Sequence, residues 1–147
     1  MNYCVPYGTL DTYNERQAMA SISELQDICG TAARDKGFHD DRPYSTNLPA
    51  LRDWQGNKLM LIVSEVAEAQ DELRKGHPAD LTYHPNREFD DKGTLKLNKP
   101  EGVPSELADV VIRVLDFCYT EGIDLESIIT EKLAYNATRE HKHGRKF

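Results

Sequence analysis

Residues 54–75 read WQGNKLMLIVSEVAEAQDELRK. Leu59, Ile62, Val63, Val66, Ala69 and Leu73 recur at three- and four-residue steps, the period of a helix with one apolar stripe. Gly76 and Pro78 predict its end, the first as a cap and the second as a residue that cannot continue a helix. At roughly 100° per residue, Glu65 and Glu68 project to one side, along the flank of the stripe. Glu72 follows on the same side one turn later.

Working outward, the next periodic segment starts near Pro104, a residue suited to a first helical turn. In PSELADVVIRVLDFCYTEG the side chains of Leu107, Val110, Val111, Val114, Phe117 and Cys118 are expected to point inward, and Gly122 to cap the end. Glu106 and Asp109 repeat the three-residue acidic spacing on the flank, with Arg113 one turn beyond. Asp124 is a good N-cap for a fourth helix, LESIITEKLAYNATREH. Upstream, Ile22, Leu25, Ile28, Cys29 and Ala32 predict a helix over residues 19–36, ended by Gly37. FHDDRPYSTNLPALRD holds two prolines among turn formers and reads as a loop. Residues 77–103 are rich in Pro, Gly and Asp. Within them LTYH and TLKL suggest a short β-hairpin, with an irregular excursion as the alternative. The expected fold is all-α: a four-helix bundle over 19–147 with that insert between the second and third helices, preceded by an irregular arm over 1–18.

The 147 residues suit one domain. A net charge of −7 argues against a general nucleic-acid binder, which needs a positive footprint. A small phosphorylated ligand stays open, because a divalent cation reverses the local sign. Cys4, Cys29 and Cys118 have no metal-type spacing, and an odd, scattered set fits a reduced, cytoplasmic protein. The opening residues carry neither a basic nor an apolar signal region, and no apolar run approaches the roughly 20 residues of a membrane span.

Two acidic pairs on the flanks of stripes that should pack together can line one groove. Carboxylates gathered there repel each other, and burial raises the cost, unless a cation neutralises them. An all-oxygen set points to Mg²⁺, with Mn²⁺ as a substitute. Such an ion is shared with substrate phosphates and assists attack by water. The plain alternative is a solvated acidic helix face, as most such pairs are. Glu140 and His143 give a single Glu-x-x-His spacing, too little for a di-iron bundle.

SEVAEAQDELRKG followed by PSELADVVIRVLDF resembles the ExxE…ExxD signature of the all-α nucleoside triphosphate pyrophosphatases, the superfamily of MazG, dimeric dUTPases and dCTP pyrophosphatases. The ending EKLAYNATREHKHGRKF is similar to the Lys, Asn, Arg tail of MazG-like members. The resemblance spans residues 54–147. It implies Glu65, Glu68, Glu106 and Asp109 as the magnesium ligands and catalytic centre, and hydrolysis of a nucleoside triphosphate to monophosphate and pyrophosphate. It also implies a homodimer or homotetramer with the substrate pocket across an interface. Ser64 stands where many MazG proteins carry a further Glu, which leaves the number of metals and the general base open. A non-catalytic nucleotide-binding module with the same fold is the alternative.

Lys132, Asn136 and Arg139 share one face of the fourth helix, suited to triphosphate oxygens. Arg145 and Lys146 are candidates to close over them. Lys58 and Arg113 are further phosphate candidates, Arg113 also as a partner for Asp109. Trp54 suits stacking on a base or anchoring the helix start. Asp116 is expected to face solvent.

Overall fold

The computed structural model describes residues 20–85 and 98–139, together with positions 89, 91, 92, 94 and 96. The arm over 1–18, Cys4 and the basic tail with Arg145 and Lys146 lie outside the described residues. Four helices follow in order: α1 (Ile22–Asp35), α2 (Leu48–Arg74), α3 (Val103–Glu121) and α4 (Leu125–Ala137). The chain is all-α among the described residues.

α1 opens with a capping box. The Ser21 hydroxyl accepts from the Glu24 amide at 3.1 Å, and the Glu24 carboxylate accepts from the Ser21 amide at 2.7 Å. Two otherwise unpaired donors are satisfied at once. α3 is the central element and packs against both α1 and α2, while α4 leans mainly on α1. Close approach of α1 and α3 depends on Gly30, since any Cβ there would run into the Tyr119 ring. Ser23 and Gln26 tie α1 to the start of α4 through Glu126 and the Ile123 carbonyl.

α2 begins six residues earlier than its apolar period predicts. Pro49 reads as a loop former, yet it sits in the first turn, where its missing N–H costs nothing. The Asn47 side chain caps that turn from the Ala50 amide. α4 is correspondingly shorter than expected and ends at Ala137, with Asp124 as its N-cap accepting from the Ser127 amide at 3.0 Å.

The packing face of α2 differs from the expected one. Leu51, Trp54, Glu65, Ala69 and Glu72 are buried. Val63 and Val66, placed inward by periodicity, are 53% and 50% exposed. α3 shows the same rotation: Val103, Glu106, Leu115 and Cys118 are buried, while Leu107 and Val111 are exposed. Within one chain, the buried side of α2 and α3 carries Glu65, Glu72 and Glu106 beside Leu51, Trp54 and Leu115, and part of each aliphatic stripe is left exposed.

The expected pairing of LTYH with TLKL is not shown, and Leu95 and Leu97 lie outside the described residues. One antiparallel bridge joins Tyr83 to Glu101, with amide-to-carbonyl distances of 3.1 and 2.8 Å. It closes the excursion at its neck, directly before α3. Gly102 follows with φ 106°, a left-handed backbone held tightly against the Leu81 carbonyl. The neck is fastened to α2 through buried Glu72, which accepts from Lys75 Nζ and pairs with His77 Nδ1, both at 2.7 Å, and accepts from Tyr83 Oη at 3.1 Å. The Lys75 bond, then that of His77, hold the Glu72 carboxyl down at about 2, against the opposing effect of burial.

A depressed carboxyl stabilises the fold above its ordinary range near 4.5 and loses that contribution as pH falls toward about 2. Glu72→Gln is therefore expected to lower the melting temperature at neutral pH and to flatten its decline between pH 4.5 and 2, read by circular dichroism. A parallel decline in both proteins would remove Glu72 from acid unfolding. No helix among the described residues is long and apolar enough to cross a membrane.

Candidate metal centre

The seam between α2 and α3 brings the two acidic motifs together. Carboxylate oxygens of Glu65, Glu106 and Asp109 lie within 4.8 Å of one another. Glu65 is fixed to α2 three residues from Glu68, and Glu106 sits in the first turn of α3, three residues from Asp109. Glu106 is 3% exposed, and its Oε2 has no hydrogen-bond partner among the described residues. A buried carboxylate oxygen normally has a partner, so one without is unusual. Burial pushes the Glu106 carboxyl up; Lys99 opposes this, and Glu68 and Asp109 add to it.

The expected set of four becomes three with one neighbour. Glu68 is exposed, and its carboxylate is not part of the close trio, although its charge reaches Glu106. The three-residue spacing puts Glu65 on the buried side and Glu68 toward the rim. The donor set fits a hard divalent cation: only carboxylate oxygens, one of them orphaned, held between two helices. Glu65, Glu106 and Asp109 would hold such an ion.

Arg113 was expected beside Asp109 or phosphate. It instead reaches across the seam to Glu65, with Nε at 2.7 Å and Nη2 at 2.6 Å from the same oxygen. Asp109 and Arg113 also border a groove of about 720 Å³ between α1, α2 and α3. Its other walls are largely apolar, including Ile28, Phe38, Leu61, Ile112 and Phe117, with Lys58 at the edge.

No family model matches this chain. Among curated proteins and solved structures there is likewise no match.

The remaining candidates are spread more widely. Trp54 is 7% exposed and donates Nε1–H to Asp41 at 3.0 Å. Lys58 lies 4.9 Å and Arg42 5.7 Å from its ring centroid. Trp54 thus anchors the loop after α1 and offers no open face to a base. Lys58 Nζ donates to the Phe38 carbonyl at 2.7 Å, beside the groove. Lys132, Asn136 and Arg139 are exposed, with Lys132 and Arg139 beside the Tyr135 ring. Arg139 lies past the end of α4. Because α4 leans on α1, the described chain does not gather this cationic face with the carboxylates.

Asp116 does not face solvent as expected. It binds His39 Nε2 at 2.7 Å, and Thr120 lies 3.1 Å from the same nitrogen. Cys29 is half-buried and Cys118 buried, both free; burial, and for Cys29 also Asp116, pushes the thiols up. Lys99 was missed by sequence reasoning. It pairs with Glu101 at 3.1 Å, and that hydrogen bond, aided by the charges of Glu106 and Asp109, raises its ammonium. It comes from an aperiodic segment, where spacing carries no signal.

Proposed function

We propose that the chain is a divalent-cation-dependent hydrolase of nucleoside triphosphates, releasing the monophosphate and pyrophosphate, with Mg²⁺ as the ion and Mn²⁺ as a substitute. The observation that carries this reading is the trio of Glu65, Glu106 and Asp109, the first two buried and the third half-buried, with the orphaned oxygen of Glu106. The resemblance of the two acidic motifs and the Lys, Asn, Arg tail to MazG-like enzymes supplies the reaction class.

When bound, the ion neutralises phosphate oxygens and favours attack by water at phosphorus. Glu65, Glu106 and Asp109 fix its position. Glu68, at the rim, completes the ligand set or receives the proton of the attacking water. The apolar groove beside Asp109 takes the nucleoside end of the substrate. Lys58 at its edge answers the phosphates, and Lys132 and Asn136 on α4, with Arg139 just past it, do so from a second copy of the chain.

A second copy completes the molecule in this reading, as a homodimer or homotetramer. Leu59, Met60, Val63 and Val66 on α2 and Leu107 and Val111 on α3 are each about half exposed in the single chain, and covering them is what a second copy would supply. Light scattering should give at least twice the chain mass, and Val63→Glu combined with Val111→Glu should reduce it to one. A monomeric parent chain would refute this arrangement.

The deciding assay is a panel of ribo- and deoxynucleoside triphosphates, with Mg²⁺ and with the ion chelated, products identified. Mg²⁺-dependent pyrophosphate is the expected result. Nucleotide binding with no turnover across the panel would favour the non-catalytic module.

A further inference from the structure

Arg113 already neutralises Glu65, a carboxylate that the proposed metal reading needs as a ligand. Both guanidinium contacts, at 2.7 and 2.6 Å, fall on one oxygen of a side chain that is only 6% exposed. The same Glu65 belongs to the trio within 4.8 Å. The other oxygen of Glu65 is left to a divalent cation, which would then sit across one buried carboxylate from the guanidinium, where two positive charges repel. A buried carboxylate must also keep some cationic partner, because leaving it alone is costly. The arginine is 41% exposed and borders the groove, so its head reaches solvent on one side.

We infer that Arg113 is a resident counter-cation that neutralises Glu65 in the metal-free chain and is displaced when a divalent cation binds. This rests on the metal reading above. The trio alone is an acidic cluster; the orphaned oxygen of Glu106, 97% hidden from solvent, is the independent sign that a ligand is missing there. Displacement makes loading a competition. The ion must outbid the guanidinium, so the intrinsic affinity of the three carboxylates is partly masked.

The test is Mn²⁺ binding to the full chain, followed by the free-ion electron paramagnetic resonance signal. Arg113→Gln is expected to bind Mn²⁺ about tenfold more tightly than the parent, and Arg113→Lys, which keeps the charge, to fall between them. Without metal, Arg113→Gln should melt lower than the parent, and Mn²⁺ should close that gap. A purely structural ion pair predicts the reverse: weaker or unchanged Mn²⁺ binding, and that result overturns the inference. In the parent protein the Arg113 Nε–H resonance should shift and exchange faster with solvent at saturating Mg²⁺; an unmoved resonance also overturns it, without any variant. If the parent chain binds neither ion, the metal reading itself fails. If it binds both and Arg113→Gln binds no better, only the displacement is wrong.

Discussion

Glu106→Gln is expected to reduce pyrophosphate release about a thousandfold, equivalent to about 4 kcal/mol of barrier, while the metal-free protein becomes more stable. The two effects have one origin. Glu106 is buried at the start of α3 beside Asp109 and within reach of the charge on Glu68, and one of its oxygens has no partner among the described residues. An amide of the same shape removes a desolvated charge and can donate to a neighbouring carboxylate. A gain of about 1 kcal/mol, or ~3 °C in melting temperature, should follow in the presence of chelator. Calorimetry should show Mn²⁺ binding weakened or lost. A variant that is less active but also less stable would mark Glu106 as a packing residue and count against the centre.

Trp54→Ala should destabilise the fold by about 3–5 kcal/mol, a large share of the roughly 5–15 kcal/mol that holds a domain of this size together. Truncation opens a cavity at the start of α2, releases Asp41 to water, and removes the ring beneath Lys58 and Arg42. Trp54→Phe keeps most of the buried area and loses the indole hydrogen bond, so its cost should be smaller, about 1–3 kcal/mol. Urea unfolding distinguishes these. If Trp54→Ala unfolded like the parent yet bound nucleotide poorly, the ring would be a stacking platform after all.

The helical order was legible because apolar periodicity, Asp124 and Gly122 all act locally. The start of α2 was not, since Pro49 interrupts a loop and begins a helix equally well, and only the Asn47 cap distinguishes the two. Convergence of the two acidic motifs could be read from their matching spacing. Which face would be buried could not. Hydropathy favours Val63 and Val66, whereas the fold buries Glu65 and Glu72, whose burial depends on Arg113, Lys75, His77 and Tyr83. Lys75 is local, three residues on, but Arg113 lies on α3 and His77 and Tyr83 lie past the helix, and one helix read alone does not reveal them. The same holds for the His39–Asp116 pair and for Lys99, brought in by the path of the chain.

The hydrogen-bonded neck at Tyr83 and Glu101 carries an evolutionary and practical consequence. The bridge sets Tyr83 and Glu101 side by side, so the length of chain between them is decoupled from the position of α3 and of Glu106 in its first turn. Lengthening such a closed loop is cheap, about 0.6 kcal/mol for each doubling. The segment is thus a natural cassette: new peptide grafted there would alter what the protein meets at its surface while the bundle keeps its register.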